Sequence, residues 1–248
     1  MLNIWIYSLV SVFIVSLISL IGIITIAIKA EKLNKFLIYM VAFSAGALFG
    51  GAFLHLLPEI VEANGFSFTI SIFILVGIVI FFILEKLINW QHCHLPITEE
   101  HVHPFAIMNL IGDGLHNFID GLIIGVSYIV SIPAGIATTI AVGLHEIPQE
   151  IGDFGVLVHG GFSKGKALGL NFLTALSAFI GAILALTAST YIENIELFLI
   201  PIAVGGFIYI AGADLIPELH KDFTVKKSIL QLLAFIAGIL VMVALLYI

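Results

Sequence analysis

Two short stretches of a mostly apolar chain hold the residues that could bind an ion or move a proton. The first carries Asp113, His116, Asn117 and Asp120. Offsets of three and four put all of them on one face of a helix, with His116 and Asp120 one turn apart and able to grip a single ion together. The second carries His145, Glu146, Gln149, Glu150 and Asp153, with His145 and Gln149 four apart, and Glu146 and Glu150 likewise. Imidazole with carboxylate suits zinc, iron or manganese. No thiolate accompanies them, and a neutral Gln softens the set, as suits an ion that must leave again. A lone His or Asp inside a membrane commonly bonds one helix to another. Nine such groups at helical spacing on two adjacent segments point instead to ion chemistry. A proton relay would use the same groups.

The elements that position these residues follow from composition. The chain has 248 residues, 61% hydrophobic and 10% charged, with a mean hydropathy of +1.21. Soluble domains keep about a quarter of their residues charged, so a lipid bilayer must be part of this chain's surroundings. A formal charge of -7 with no Arg offers no basic patch for nucleic acid. Cys93 is the lone cysteine and can form no internal disulfide. Eight stretches reach spanning length, at about 4–28, 36–60, 68–88, 104–130, 133–158, 167–191, 195–219 and 228–247. Helices are expected throughout, because a spanning segment must satisfy its own backbone. The reading is an all-α polytopic membrane protein, with residues 1–248 forming a single transmembrane domain. The first stretch has no basic leader or small-residue cleavage site and reads as a retained span.

The lysines orient it. Lys29, Lys32 and Lys35 separate spans one and two, Lys86 ends span three, Lys164 and Lys166 separate five and six, and Lys221, Lys226 and Lys227 separate seven and eight. All fall on one side, which the positive-inside rule makes cytosolic, so both termini face outside. The opposite loops hold Glu62, Glu193 and Glu196. The short connection around Ser131–Gly135 makes spans four and five antiparallel neighbours. Pro148 should kink span five and free a carbonyl near residue 144. Segment 89–103 becomes a His-rich cytosolic loop, with His92, Cys93, His94, His101 and His103 as possible metal ligands. A repeat also emerges. HLLPEI ends span two at residues 55–60 and DLIPEL ends span seven at 214–219. A shift of 159 residues aligns them, along with Gly46 on Gly205 and Ala52 on Ala211. Similar spans running in opposite directions mark an inverted-topology repeat, here 3+2+3.

The strings HNFIDG, from His116, and HEIPQEIGD, from His145, closely resemble the paired signature of the ZIP family of metal transporters. The likeness is strongest to the branch whose second motif is His-Glu-x-Pro-x-Glu-x-Gly-Asp. It covers essentially the whole chain. It implies transport of a divalent metal into the cytosol, Zn2+ first, with Fe2+, Mn2+ or Cd2+ as further cargoes, and a homodimer. It places an inner metal site on His116, Asp120, His145 and Gln149, and a second position on Asn117, Asp120 and Glu146. Glu150 is counted with these ligands, and by the direction of the two spans Asp113, Glu150 and Asp153 form an acidic exit toward the cytosol, with His159 near its mouth. Two departures stand out. Gln149 occupies a position where relatives have His or Glu, and span six offers only Asn171, Thr174 and Ser177 where some relatives place a carboxylate. The expected protein is not an enzyme. The rivals are an intramembrane zinc metalloprotease, since His145-Glu146-x-x-Gln149 is one residue short of its motif, and a proton- or ion-coupled carrier of another solute. The compact chain suggests a prokaryotic cytoplasmic membrane.

Overall fold

The computed structural model describes residues 2–23, 30–89, 104–220 and 224–247, and among them every regular element is helical. Helix α1 (Leu2–Ile18) ends in a tight turn at Ser19–Ile21. Helix α2 (Ala30–Gly50) passes through a π-helical turn (Gly51–Leu56) into α3 (Leu57–Asn64) without a break in the rod. Helix α4 (Phe68–Asn89) follows, then α5 (Pro104–Val130) and α6 (Ile132–His159). The sixth stretch is two helices, α7 (Lys164–Ala175) and α8 (Ser177–Ala188), meeting at Leu176. The seventh is α9 (Glu196–Tyr209), a second π-helical turn (Ile210–Leu215) and α10 (Ile216–Leu219), and α11 (Val225–Leu245) comes last.

Among the described residues, six segments are long and apolar enough to cross a membrane: Leu2–Ile21, Leu37–Glu62, Phe68–Lys86, Lys164–Ala188, Glu196–Leu219 and Val225–Leu245. The protein is therefore an integral, multi-pass membrane protein. Their outward faces are apolar, with Leu173 63% and Ile180 64% exposed, which only a lipid solvent makes tenable. The two remaining long helices are the polar pair, α5 with 27 residues and α6 with 28. At about 1.5 Å per residue each is about 40 Å long. The turn between them is shorter than expected. Ser131 alone is extended (φ -158, ψ 158), and its side chain accepts a bond from the Ala134 amide to start α6. Pro133 fits there because the first turn of a helix has no partner for its amide. The pair thus runs antiparallel, as the spacing implied.

Close backbone crossings hold the outer rods. A methyl group on Gly46 would strike the Phe235 carbonyl, and one on Gly238 the Phe43 carbonyl, so α2 and α11 cross in contact. Helices α4 and α9 cross in the same way, Gly77 against Ile202 and Gly205 against Ile74. In lipid, small residues matter here because packing rather than hydrophobicity drives helix association. Helix α5 packs on both α6 and α8, while α6 also meets α1 and α2. Serine hydroxyls tie these helices together. Ser16 donates to the Ala175 carbonyl at 3.0 Å, Ser177 to the Gly114 carbonyl at 2.6 Å, and Ser11 bonds Tyr128 at 2.8 Å.

Candidate metal centre

Helices α5 and α6 bring four of the expected residues to one point. His116 Nε2 faces His145 Nε2 at 3.1 Å. Asp120 Oδ2 lies 3.5 Å from His116 Nε2 and 3.2 Å from His145 Nε2. Glu146 Oε1 lies 3.3 Å and 3.4 Å from the same two nitrogens. All four ligand atoms fall within 4.8 Å of one another. Asp120, His145 and Glu146 are buried to within 1% of complete, and His116 opens onto a cavity. Both Asp120 oxygens and Glu146 Oε1 are buried and make no hydrogen bond among the described residues. Buried carboxylate oxygens without donors are costly, and a cation removes that cost.

The local sequence explains the aim of each group. His116 and Asp120 share a face through their four-residue offset. His145 Nδ1 sits 3.3 Å from the Ala141 carbonyl, so the Nδ1–H tautomer turns the Nε2 lone pair toward the cluster. A bond at the far nitrogen is the usual means of orienting a metal-binding imidazole. The Phe81 ring stands edge-on to His116 with centroids 6.4 Å apart, giving that imidazole an apolar wall.

The other expected residues are distributed around this cluster. Gln149, expected as the fourth ligand, lines the cavity below it. Glu146, assigned to the second position, stands in the cluster instead. Asn117 turns away and donates to Asp113 Oδ1 at 2.7 Å, while the Thr174 hydroxyl holds the other Asp113 oxygen. Glu150 is buried against the Asn171 amide, which also donates to the Glu150 carbonyl at 3.3 Å. The Asn109 amide donates to Asp153 at 2.9 Å. The side chain of His159 and the whole tract with His92, Cys93, His94, His101 and His103 lie outside the described residues. Asn109 had no role in the expected site. Its offset of four from Asp113 put it on the same stripe and was the available signal.

The cavity has a volume of about 570 Å³. It runs from His116 and Gln149 past Asp113, Asn109 and Asp153 to Glu85, Tyr209 and Glu218. Tyr209 donates to Glu85 across it. Glu85 and Glu218 in its lining lie near the ends of α4 and α10 that lead into Lys-bearing segments. Beyond the cluster in the other direction, Ile123, Ile124, Tyr128, Ala134, Ala137 and Ala141 are all buried and packed.

Fold and site together define a polytopic membrane protein built around a buried nitrogen-and-oxygen cluster. The model of the ZIP zinc transporter family matches residues 2–104 and 91–246. The chain is 30% identical to zinc transporter zipt-7.1 of Caenorhabditis briggsae, over 100% of this chain and 79% of that protein. It is 34% identical to zinc transporter ZIP13 of Pongo abelii, over 82% of this chain and 65% of that protein. With zinc transporter ZIP10 of Mus musculus the identity is 38%, over 61% of this chain but only 19% of that much longer protein. This chain belongs to the ZIP zinc transporter family. Membership places it among transporters rather than enzymes, which disposes of the protease reading.

Proposed function

We propose that this chain carries zinc across a bilayer into the cytosol through a site between α5 and α6 near the membrane midplane. One observation carries the reading: Asp120 Oδ2 and Glu146 Oε1 face two imidazole nitrogens inside the protein at 3.2–3.5 Å, and neither oxygen makes a hydrogen bond among the described residues. Five of the six donor separations fall between 3.1 and 3.5 Å. A tetrahedron of edge about 3.3 Å has its centre about 2.0 Å from each corner, which matches the zinc–nitrogen and zinc–oxygen distances of protein sites. The same donors suit Fe2+, Mn2+ and Cd2+ as lesser cargoes. The relatives' names favour zinc.

The path follows from the positions of the charges. The ion arrives from the outer side, where Glu62, Glu193 and Glu196 raise its local concentration. It loses water between the histidines and is held by His116, Asp120, His145 and Glu146. Gln149 is the first donor on the way out, a weaker ligand that lets the ion leave. Asp113, Glu150 and Asp153, with His159 near the mouth, then hand it toward the cytosol, and the 89–103 loop receives it. The cavity on the Lys-bearing side and the packed half beyond the cluster support an inward-open state.

Eight spans, with both termini outside, remain our reading of the topology, with 1–248 as one transmembrane domain. The 3+2+3 repeat gains support from two features of the fold. The π-helical turns Gly51–Leu56 and Ile210–Leu215 are 159 residues apart, the shift that aligns the two Leu-Pro-Glu motifs. The glycine crossings of α2 with α11 and of α9 with α4 also correspond under exchange of the two halves. Alternating access then comes from rocking of the repeats against the central pair. A homodimer is the expected assembly. The relatives named above are animal proteins, so they give no support to a prokaryotic inner membrane. The test is zinc uptake into proteoliposomes. His145→Ala should abolish the saturable component, and normal uptake by that variant would refute the site.

A further inference from the structure

Helix α6 contains one backbone group that the helix cannot satisfy. Each carbonyl in an α-helix accepts from the amide four residues on, and Pro148 has no amide proton. The orphan is the Leu144 carbonyl, one residue before His145. Within a membrane such a group needs a donor from elsewhere. The donor is Ser44 on α2, fully buried, whose hydroxyl reaches the Leu144 carbonyl at 2.6 Å. The sequence led us to expect a free carbonyl at residue 144. The structure shows it capped by a helix from outside the central pair.

We infer that Ser44 is a positioning residue for the metal site, its hydroxyl standing in for the amide that Pro148 lacks and so fixing the stretch of backbone that aims His145 and Glu146. The inference rests on the zinc-site reading above. Three observations converge on it. The accepting carbonyl belongs to the peptide that joins Leu144 to His145, so any shift there moves both ligands of α6 together. Packing of α2 on α6 gives the hydroxyl a rigid mount. The serine is also confined to the half that needs it: the shift of 159 residues places Ala203 opposite Ser44, and the partner helix α5 has no proline beyond its first residue, Pro104.

The consequence is specific to this bond. Without the hydroxyl, the Leu144 carbonyl must turn toward water or a neighbour, and His145 and Glu146 turn with it. Ser44→Ala should raise the zinc concentration for half-maximal uptake about ten-fold, the low end of what losing a group behind a metal ligand costs. Maximal uptake per folded protein should change less than about two-fold, which a general loss of packing would not spare. Ser44→Thr keeps the hydroxyl and should stay within about three-fold of wild type. Pro148→Ala supplies the missing amide, so in that background Ser44→Ala should shift half-saturation less than about two-fold from Pro148→Ala alone.

The inference is overturned if Ser44→Ala leaves half-saturation unchanged, if Ser44→Thr behaves like Ser44→Ala, or if the ten-fold penalty persists in the Pro148→Ala background. If Ser44→Ala yields no folded protein, the Ser44→Ala/Pro148→Ala double variant decides: recovery of zinc-binding protein is expected, and no recovery refutes the role. His145→Ala runs alongside. Normal uptake by that variant would remove the metal site itself. Its failure beside a normal Ser44→Ala would remove only the role of Ser44.

Discussion

The sharpest consequence of the geometry concerns which residue on α6 is the fourth ligand. The family resemblance assigns Gln149, one turn from His145, whereas the folded chain offers Glu146, 3.3 and 3.4 Å from the two imidazole nitrogens. Consider Glu146→Gln, which keeps the volume and removes the charge. Loss of a group that merely supports a ligand weakens metal binding about 10–100-fold, so loss of a charged ligand should reach about 100-fold, or about 2.7 kcal/mol. The assay is thermal unfolding of purified protein with zinc at about 100 times the wild-type dissociation constant. Wild type should gain about 2.7 kcal/mol of stability from that zinc. The variant then sits at about its own dissociation constant and should gain only about 0.4 kcal/mol. Gln149→Ala, altering a cavity wall, should keep at least about 2 kcal/mol of the gain, since an about three-fold weaker site loses only about 0.6 kcal/mol. If Gln149→Ala loses the zinc response while Glu146→Gln keeps it, Gln149 is the fourth ligand and the assignment of Glu146 is wrong.

Other outcomes follow from the same structure. Gln149→His puts a stronger donor on the way out. Half-saturating zinc should fall while maximal uptake also falls, a pattern readable from initial rates in proteoliposomes. Gly121 lies where a side chain would collide with the Ala178 carbonyl. Gly121→Val should therefore prevent α5 and α8 from docking, with loss of folded protein on size-exclusion chromatography. The orientation is testable with Cys93→Ser as background. A cysteine at Glu62 should react with an impermeant thiol reagent from outside intact cells, and one at Lys164 should not. Thr174→Ala removes the hydroxyl that bonds Asp113 and should slow release more than binding, so single-turnover efflux should slow while zinc-dependent stabilisation persists.

Much of this was legible in the residues. Spans were readable because lipid demands about 20 apolar residues per crossing. The polar stripes were readable because few forces other than function retain carboxylates there. What failed was angular detail. His145 and Glu146 are neighbours about 100° apart on a helix, so the four-residue spacing gave no reason to doubt the pairing of His145 with Gln149 that the family resemblance implied. Only the position of α5 brings His145 and Glu146 together into one cluster with His116 and Asp120. Asn117 was expected to face an ion, but it satisfies Asp113 instead, a pairing between side chains that residue types do not rank. The π-helical turns depend on how α2 and α9 meet their neighbours, and nothing local in GAFLHL or IAGADL announces them. Ser44 looked like one small hydroxyl among many. Its role became visible only when the Leu144 carbonyl, orphaned by Pro148, was located in space.

The claim at the centre is that zinc is held by two imidazoles and two carboxylates between α5 and α6. X-ray absorption at the zinc edge tests it on zinc-loaded protein in which His92, His94, His101 and His103 are changed to Ser and Cys93 to Ser. Four nitrogen or oxygen neighbours at about 2.0 Å are expected, with the outer-shell signature of two imidazoles, and loss of bound zinc in His145→Ala. A six-coordinate all-oxygen spectrum, or one indifferent to the loss of His145, would contradict it.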